Sequence, residues 1–335
     1  MSQENIGSGL TAMHSSTPVV SVIIPCYKQA HFLPQAIESA LSQTHRPVEV
    51  IVVDDGSPDN TAAVVARYPQ VRYLRQENRG LGEARNGGFG ISKGEFILFL
   101  DADDRFLPEA AAAHLACFAR HPEAGFVVGD IDNIGLDGSY LGSPRFPLLK
   151  GRVYEDVLKV NHVANSIAVM WRRSVFEKLG GFQPAYSPAE DVELLLRAAR
   201  LFWTAHHRTT VAQYRRYPNT LSRKGALMLP AIRRIMRLQN EVVKGNPVLL
   251  RARRRGYAYW RDYFGKETLK ELFAHVVHGS PRRAATSLVT LLRYVGGRLF
   301  IWPWKYRQQG LIYLRRCLRA RKKRDDRSAS TVASR

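Results

Sequence analysis

The sequence predicts an α/β fold in which helices flank a mostly parallel sheet. Over residues 19–129, apolar runs rich in β-branched residues alternate with segments of helical periodicity, which is typical of a parallel sheet. The apolar runs are continuous, as expected of strands that are covered on both faces. With 335 residues and 45% hydrophobic content, the chain is long enough to bury a large core.

The elements follow in order along the chain. The predicted strands cover residues 19–25, 49–53, 71–74, 95–100 and 125–129, and the predicted helices cover residues 32–43, 80–92, 108–120 and 191–200. A further helix is expected to have Ser57 as its N-cap and Pro58 at its first position. Residues 135–186 are irregular and rich in glycine and proline, so we expect them to cover the mouth of the sheet.

Basic residues are concentrated in the C-terminal third. The chain has 50 Lys and Arg against 29 Asp and Glu, but residues 221–335 alone hold 28 against 6. The basicity therefore belongs to one module. We predict a flexible lead-in over residues 1–18, an α/β domain over 19–222, a basic and mainly helical extension over 223–324, and a disordered tail over 325–335.

Cysteine usage and hydropathy predict a cytoplasmic location. The three cysteines, Cys26, Cys117 and Cys317, are scattered and fit neither a disulfide framework nor a zinc site. The N-terminus is polar and lacks the basic start and apolar stretch of a secretory signal. The best candidate for a membrane span, residues 287–304, is interrupted by two arginines, so we expect no spanning helix.

The most informative motif is acidic. Asp101, Asp103 and Asp104 directly follow the apolar run 96–100, where a buried strand would reach the surface. Carboxylates this close repel one another unless a cation or hydrogen-bond donors neutralise them, and Mg²⁺ or Mn²⁺ prefers such oxygen ligands. The alternative is a solvated turn that caps the helix beginning near Pro108.

A second acidic pair, Asp54 and Asp55, follows the second predicted strand. Ligands of open α/β sheets bind beyond the carboxyl ends of the strands, and an ionised Asp there can accept a hydrogen bond from a base or ribose. A bound diphosphate would need cations, and Arg85 and the N–H groups at the start of the 80–88 helix are candidates to assist. The alternatives are a turn decorated with acids and a solvated helix arginine.

A third acidic pair, Glu190 and Asp191, opens the helix predicted over residues 191–200. Helix capping explains acids at this position, because the helix dipole stabilises carboxylates in the first turn. A carboxylate on a segment that covers the sheet is also suited to act as a general base.

Five segments in this order resemble family 2 of the inverting glycosyltransferases, whose Rossmann-like fold is called GT-A. They are VSVIIPCYKQ (20–29), VIVVDDGSPDNT (50–61), ENRGLGEARNGG (77–88), FILFLDADD (96–104) and the GGF…AED stretch (180–191). The resemblance covers residues 19–222 and implies a metal-dependent hexosyltransferase that uses a nucleoside-diphosphate sugar.

The resemblance implies roles for individual residues. Pro25, Tyr27 and Asp55, with Asp54 beside it, would hold the nucleotide base. Asp101 would bind the ribose, and Asp103, with Asp104 as a neighbour, would hold the divalent cation. Asp191 would be the catalytic base, supported by Glu190. The implied reaction is a single inverting displacement by a hydroxyl of a saccharide or lipid-linked acceptor in polysaccharide biosynthesis.

Two features depart from the family pattern. Tyr217 stands in the segment YRRYPNTLS (214–222), where a His is often found, and this puts a metal or diphosphate role of that segment in doubt. The Q-x-x-R-W motif and spanning helices of processive members are absent from the sequence. We therefore expect a non-processive enzyme.

Residues 282–324 alternate apolar and cationic positions. Leu288, Leu291, Leu292, Val295 and Leu299 recur at helical spacing, and Trp302 and Trp304 precede further leucines among arginines. This pattern favours interfacial helices on an anionic membrane surface, which would place the protein at the cytoplasmic face. The alternative is a helical cap on the catalytic domain with a solvated basic face.

Three other functions fit the sequence less well. The basic clusters at residues 253–255 and 321–324 could pair with nucleic acid phosphates, but no recognition motif accompanies them, so we expect no nucleic acid partner. A catalytically silent module that binds a sugar nucleotide or a partner is opposed by the presence of Asp103 and Asp191. A dinucleotide-dependent oxidoreductase is opposed by the lack of G-x-G-x-x-G after the first strand.

Overall fold

The computed structural model describes residues 17–160, 166–217, 220 and 224–297. In these ranges the strands are β1 Val20–Cys26, β2 Val48–Asp54, β3 Arg72–Arg75, β4 Phe96–Phe99, β5 Arg105–Phe106, β6 Ala124–Ile134, β7 Tyr140–Gly142, β8 Val169–Arg172 and β9 Trp203–Arg215. The helices are α1 Leu33–Leu41, α2 Thr61–Val65, α3 Leu81–Ile91, α4 Ala110–Arg120, α5 Tyr154–Lys159, α6 Arg173–Leu179, α7 Glu190–Leu201, α8 Gly225–Val243, α9 Pro247–Val277 and α10 Pro281–Tyr294. Two short 3₁₀ turns lie at Ser166–Ala168 and Pro184–Tyr186.

The strands form one mixed sheet with the order β3-β2-β1-β4-β8-β6-β9-β5, and β7 pairs with β6. Strands β1 to β4 pair in parallel, as do β6 and β9, whereas β5, β7 and β8 run in the opposite direction. The α/β fold class is therefore confirmed, and six of the nine strands in the described ranges share one direction. The antiparallel strand β8, which separates β4 from β6, was not predicted.

The parallel half is built as the sequence indicates. Every residue of β1 is buried, because helices cover both faces of this part of the sheet. Helix α3 lies directly on β1 and β2, and a Cβ at Gly88 would collide with the side chain of Ile23. Glycine at this position is therefore required for the close approach that brings α3 to the strand ends.

The predicted helix start at Ser57 is wrong. Helix α2 begins at Thr61, with Asn60 at the N-cap position. Ser57 belongs instead to the preceding turn, where its N–H donates to Asp54 Oδ1 (2.7 Å) and its hydroxyl donates to the Cys26 carbonyl (3.3 Å). These two bonds tie the turn to the ends of β1 and β2, so the helix starts later.

Helices α8, α9 and α10 form a helical extension that packs on the α/β domain. Helix α9 crosses α5 so closely that a Cβ at Gly256 would overlap the Leu158 carbonyl oxygen. Among the described residues, no helix has the length and apolar character needed to cross a membrane. The predicted division at residue 222 falls among the undescribed residues 221–223, so it stays a prediction.

The apolar residues of α10 and its C-cap that were predicted to share one interfacial face differ in their exposure to solvent. Leu291 and Val295 are buried against the other helices, whereas Leu288 and Leu292 are 44% and 56% exposed. Part of the apolar pattern therefore serves the helical packing. The rest of the predicted membrane segment (298–324), the disordered tail (325–335) and nearly all of the lead-in (1–16) lie outside the described residues.

Candidate active site

The predicted site residues at the first two strands lie side by side. Parallel register pairs Pro25 with Val53 and Cys26 with Asp54, so the carboxyl ends of β1 and β2 are adjacent. The Leu100 N–H donates to the Ile23 carbonyl (3.0 Å), which places the Asp101 segment next to the end of β1. The sheet edge thus brings the acidic segments together, as the order of the strands requires.

Pro25 and Tyr27 differ in their accessibility. Pro25 is buried within β1, whereas Tyr27 is 42% exposed at the strand end. Lys28 follows with φ +58°, a left-handed conformation that is uncommon for a residue with a side chain. Its N–H donates to Ser57 Oγ (3.2 Å), and its ammonium group lies 5.0 Å from the centre of the Tyr27 ring. This turn therefore presents the Tyr27 ring to solvent beside the acidic pair.

Asp54 and Asp55 are buried carboxylates whose oxygens are occupied by protein donors. Asp54 accepts from the Ser57 N–H and from the Tyr73 hydroxyl, at 2.7 and 2.6 Å. Asp55 accepts from Gln76 Nε2 (2.8 Å) and from the backbone N–H groups of Arg79 and Gly80, at 3.0 and 2.8 Å. The pair therefore organises the loop that leads into α3, and the Gly80 N–H is already bonded to Asp55.

Arg85 links the acidic segment 101–104 to the acidic pair 190–191. It is 2% exposed in α3, and its guanidinium donates to Asp101 Oδ1 (2.7 Å) and to Ser166 Oγ (3.2 Å). Burial lowers the pKa of Arg85, but the negative charges of Asp101, Glu190 and Asp191 raise it to a net value above the ordinary one. Arg85 is therefore not a solvated helix charge, and it lies within electrostatic reach of all three carboxylates.

Glu190 and Asp191 begin α7 in a desolvated position. Burial is the largest cause that raises the pKa of both carboxyls, and the charge of Arg85 opposes it. Glu190 is 2% exposed and its Oε2 has no hydrogen-bond partner among the described residues, while Asp191 accepts from the adjacent Val192 N–H at 2.8 Å. A partly exposed carboxylate with few donors and a raised pKa is chemically suited to take up a proton.

Asp103 is contacted by Tyr217, which belongs to the segment 214–222 whose metal or diphosphate role was in doubt. The hydroxyl of Tyr217 donates to Asp103 Oδ2 (2.6 Å) and accepts from Gln29 Nε2 (3.2 Å). The pKa of Asp103 is raised by burial first and then by the charge of Asp101, and the bond from Tyr217 opposes this shift. Tyr217 thus supports the acidic motif from the end of β9.

Asp104 faces away from solvent and is held by Arg215. It accepts from the Arg215 N–H (2.7 Å), its Oδ2 has no partner among the described residues, and burial raises its pKa well above the ordinary value. The predicted role of Asp104 as a metal ligand is not favoured by this burial. Its observed contact joins the acidic turn to β9.

Arg215 was not identified from the sequence. Its guanidinium donates to the Asp103 carbonyl (2.7 Å), to Gln35 Oε1 (2.9 Å) and to the Leu136 carbonyl (2.8 Å), and it is 2% exposed. One side chain thus connects the acidic turn with α1 and the end of β6. In the sequence it is one of two adjacent arginines in the segment 214–222, and nothing there distinguishes it from Arg216.

The residues at the acidic turn fit a divalent cation only in part. Within the described ranges, no three His, Cys, Asp or Glu side chains are grouped so that they could enclose a metal ion. Asp101 and Asp103 nevertheless provide two carboxylates in a partly desolvated place, and their mutual repulsion raises the pKa of Asp103. This donor set suits a hard cation that keeps further oxygen ligands from a phosphate group or water.

A family model described as "Glycosyl transferase family 2" matches residues 21–180. The match includes the acidic segments at 54–55 and 101–104 and ends before Asp191. Residues 21–180 belong to glycosyltransferase family 2. The resemblance stated from the sequence is thereby confirmed.

Known relatives match about half of the chain. An uncharacterized glycosyltransferase of Haemophilus influenzae is 30% identical over 182 residues, covering 53% of this chain and 61% of the relative. Chondroitin synthase of Escherichia coli is 29% identical over 189 residues, covering 55% of this chain and 27% of the synthase. The chain thus spans less than two thirds of the length of these relatives.

Solved structures of the same fold extend further along the chain. S. aureus TarS 1-349 in complex with UDP-GlcNAc has a TM-score of 0.56 at 16% identity, covering 80% of this chain and 88% of that structure. The mannosyltransferase PcManGT from Pyrobaculum calidifontis, in complex with GDP-Man and Mn²⁺, has a TM-score of 0.55 at 19% identity, covering 91% and 87%. At these identities the likeness establishes the GT-A-like fold.

Proposed function

We propose that the protein is an inverting, non-processive glycosyltransferase that moves a hexose from a nucleoside-diphosphate sugar to a hydroxyl group of a saccharide or lipid-linked acceptor. The observation that carries this proposal is the grouping of Asp101, Glu190 and Asp191 around the buried guanidinium of Arg85. This grouping lies at the carboxyl edge of the sheet, where ligands of such folds bind.

The nucleotide sugar would lie between the acidic pair 54–55 and the acidic segment 101–104. The exposed ring of Tyr27 is available to stack on the nucleotide base. Asp55, at the end of β2, would accept a hydrogen bond from the nucleotide base in addition to the three that it accepts from the protein. Asp101 would accept from the ribose while Arg85 fixes its carboxylate through the 2.7 Å ion pair. Pro25 and Asp54 hold the strand ends in place, so their contribution to donor binding would be through the shape of the turn.

Asp191 would act as the general base. It takes the proton of the acceptor hydroxyl, the hydroxyl oxygen forms a bond to the anomeric carbon, and the bond from that carbon to the diphosphate breaks. Burial raises the pKa of Asp191, which makes its carboxylate a stronger base than an ordinary Asp. The charge of Arg85 opposes this effect of burial and lowers the pKa of Asp191, and Glu190 would support the arrangement from the same helical turn.

The acidic turn would hold a divalent cation, Mg²⁺ or Mn²⁺. Asp103 and Asp101 are its candidate ligands, and Tyr217 fixes the orientation of the Asp103 carboxylate through a bond of 2.6 Å. When bound, the cation stabilises the negative charge that develops on the departing nucleoside diphosphate. The Mn²⁺ complex of PcManGT, a protein of the same fold, agrees with this proposal.

The helical extension would bring the enzyme to an anionic membrane surface on the cytoplasmic side. Leu288, Val289 and Leu292 form an exposed apolar face of α10, and α10 also carries Arg282, Arg283 and Arg293. Such a face suits shallow insertion among lipid headgroups, with arginines beside it. A membrane location would concentrate the enzyme with a lipid-linked acceptor in cell-surface polysaccharide synthesis.

Donor hydrolysis tests the enzymatic part of the proposal. With Mn²⁺ and a panel of sugar nucleotides, we expect slow release of nucleoside diphosphate from one donor, no release with EDTA, and no release by Asp103→Ala. A silent binding module would instead show donor-induced thermal stabilisation without any release. A nucleic-acid-binding protein would show neither response, and either result would refute the proposal.

Flotation with liposomes tests the membrane part separately. We expect the intact chain to float with vesicles that contain anionic lipid at low salt, and to do so less when Leu288 and Leu292 are both changed to Gln. Absence of flotation by the intact chain under these conditions would remove the membrane proposal while leaving the enzymatic one intact.

A further inference from the structure

The helical extension contains an arginine pocket that the proposed reaction does not use. The pocket has a volume of about 500 Å³ and is lined by Pro230, Arg233, Arg234, Arg237, Arg293 and Tyr294. Four of the six lining residues carry a permanent positive charge, and none is acidic. The pocket lies between α8 and α10 and consists only of described residues.

The geometry of α8 groups three of these arginines. Pro230, Arg233, Arg234 and Arg237 occupy positions i, i+3, i+4 and i+7, which share one face of a helix. Arg293 reaches the same space from α10. The pocket therefore results from helix packing, and its cations are brought together by two separate elements.

Aromatic rings and a carbonyl hold the guanidinium groups in place. The guanidinium carbons of Arg233 and Arg293 lie 5.0 and 5.7 Å from the centre of the Tyr294 ring. Arg234 lies 5.1 Å from the centre of the Tyr186 ring and donates to the Ala185 carbonyl (2.9 Å). Three of the four arginines are thus oriented before any ligand arrives, which reduces the entropy that binding would cost.

The positive charges of the pocket are not balanced by the protein. No carboxylate within the described ranges forms an ion pair with any of the four arginines, although other cations such as Arg197 have partners at 2.6 Å. Like charges at spacings of three and four destabilise a helix, so this arrangement favours a bound anion. Guanidinium groups bind phosphate oxygens with paired hydrogen bonds, and several of them together suit a phosphate group with two or more charges.

We propose that the arginine pocket binds a phosphate monoester or diphosphate group, such as the one that joins a saccharide acceptor to a lipid or that a soluble phosphorylated sugar carries. Arg234 contacts the Pro184–Tyr186 turn, and Ala185 lies six residues before Asp191. Six residues span at most about 20 Å, so the Ala185 carbonyl that Arg234 contacts lies within a few sugar units of Asp191. The assignment to the acceptor rests on the proposed function, whereas anion binding by the pocket does not.

Calorimetry with inorganic pyrophosphate tests the pocket. EDTA is present, so that the donor site has no divalent cation through which it could bind the probe. We expect saturable binding by the intact chain and at least a tenfold weaker affinity for the double variant Arg234→Gln with Arg237→Gln. Arg254→Gln with Arg255→Gln removes the same charge from exposed positions of α9 and should bind as the unmodified chain does.

The outcomes decide the proposal. An equal loss of pyrophosphate affinity in both double variants would mean that binding depends on net charge alone, and this would overturn the proposal. Absence of binding by the intact chain would also overturn it. Circular dichroism of both variants checks that they are folded. Because this assay contains no sugar nucleotide and the hydrolysis assay contains no acceptor, failure of one proposal is distinguishable from failure of the other.

Vesicles identify the source of the phosphate. Phosphatidic acid carries a phosphate monoester, whereas phosphatidylglycerol carries a phosphodiester of lower charge, so the two vesicle types are matched for total charge. A preference for phosphatidic acid that the Arg234 and Arg237 variant loses would assign the pocket to a lipid phosphate. Pyrophosphate binding without that preference would assign it to a soluble phosphorylated acceptor, and both results support a phosphate site.

Discussion

Two acidic regions at the same edge of the sheet have carboxylates in opposite environments. At the end of β2, Asp54 and Asp55 are buried, and five donors from the turn, from β3 and from the loop before α3 satisfy their oxygens. At the end of β4 and the start of α7, Asp103, Glu190 and Asp191 have few donors, and burial raises their pKa values. The same residue type therefore stabilises loops in one region and is prepared for proton and cation binding in the other.

This difference shows which acids to expect in the reaction. A carboxylate surrounded by N–H and O–H donors is stabilised in its charged form and contributes to folding. A carboxylate that is desolvated without donors destabilises the free protein, and a ligand or a proton relieves that cost. Variants in the two regions should accordingly separate stability from activity.

The largest expected effect is on catalysis. Asp191→Asn removes the base while keeping the size of the side chain, so we expect the transfer or hydrolysis rate to fall about 10³-fold. The free energy of unfolding should not fall, because an amide is less costly to bury than a carboxylate. Rates and urea denaturation measure both quantities, and Asp156→Asn, in the first turn of α5, is the control. A large stability loss with retained activity would contradict the assignment.

The second effect is on stability at the other acidic region. Asp55→Ala leaves Gln76 and the N–H groups of Arg79 and Gly80 without their acceptor, and we expect a loss of about 3 kcal/mol in the free energy of unfolding. Urea denaturation measures it, with Asp137→Ala at an exposed turn as the control. If Asp55→Ala unfolds at the same urea concentration as the unmodified chain, the hydrogen bonds of Asp55 do not stabilise the loop before α3.

The third effect concerns the tyrosine that replaces the expected histidine. Tyr217→Phe removes the donor to Asp103, so we expect about tenfold more Mn²⁺ to be needed for half-maximal hydrolysis. Tyr217→His supplies another donor and should need less Mn²⁺ than Tyr217→Phe. Tyr140→Phe, on an exposed tyrosine, is the matched control. An unchanged metal requirement in Tyr217→Phe would separate this residue from the cation site.

The smallest effect is a dependence of stability on pH. Since folding raises the pKa of Asp103, the folded state binds more protons than the unfolded state above the ordinary Asp value of 3.8. Stability from this group is therefore lost as pH rises through its raised pKa. His114 and His207, whose pKa values burial lowers, act in the opposite direction, so the difference between the unmodified chain and Asp103→Asn is the useful quantity.

Thermal unfolding in EDTA measures this difference across the acidic and neutral range. We expect Asp103→Asn to gain stability relative to the unmodified chain as pH rises, and Mn²⁺ to stabilise only the unmodified chain. A difference that does not change with pH would mean that Asp103 is not desolvated, and the contrast between the two acidic regions would then be lost at this residue.

The parallel half of the sheet and its acidic turns could be predicted from local patterns. Apolar runs marked β1, β2 and β4, and the acids that follow β2 and β4 had to meet at one edge. Strand β8 could not be predicted, since its four residues within an irregular segment gain their strand conformation only by pairing with β4 and β6. Long-range pairing of this kind leaves no periodic signal in the sequence.

The sequence alone determined the family, the α/β class and the acidic motifs, because each of these is encoded in consecutive residues. Only the tertiary structure decided that Arg85 joins Asp101 to the start of α7, that Arg215 and Tyr217 support the acidic turn, and that four arginines share a pocket. Such roles depend on burial and on contacts between distant segments. The charge and reactivity of a side chain follow from that environment, which the identity of the residue does not specify.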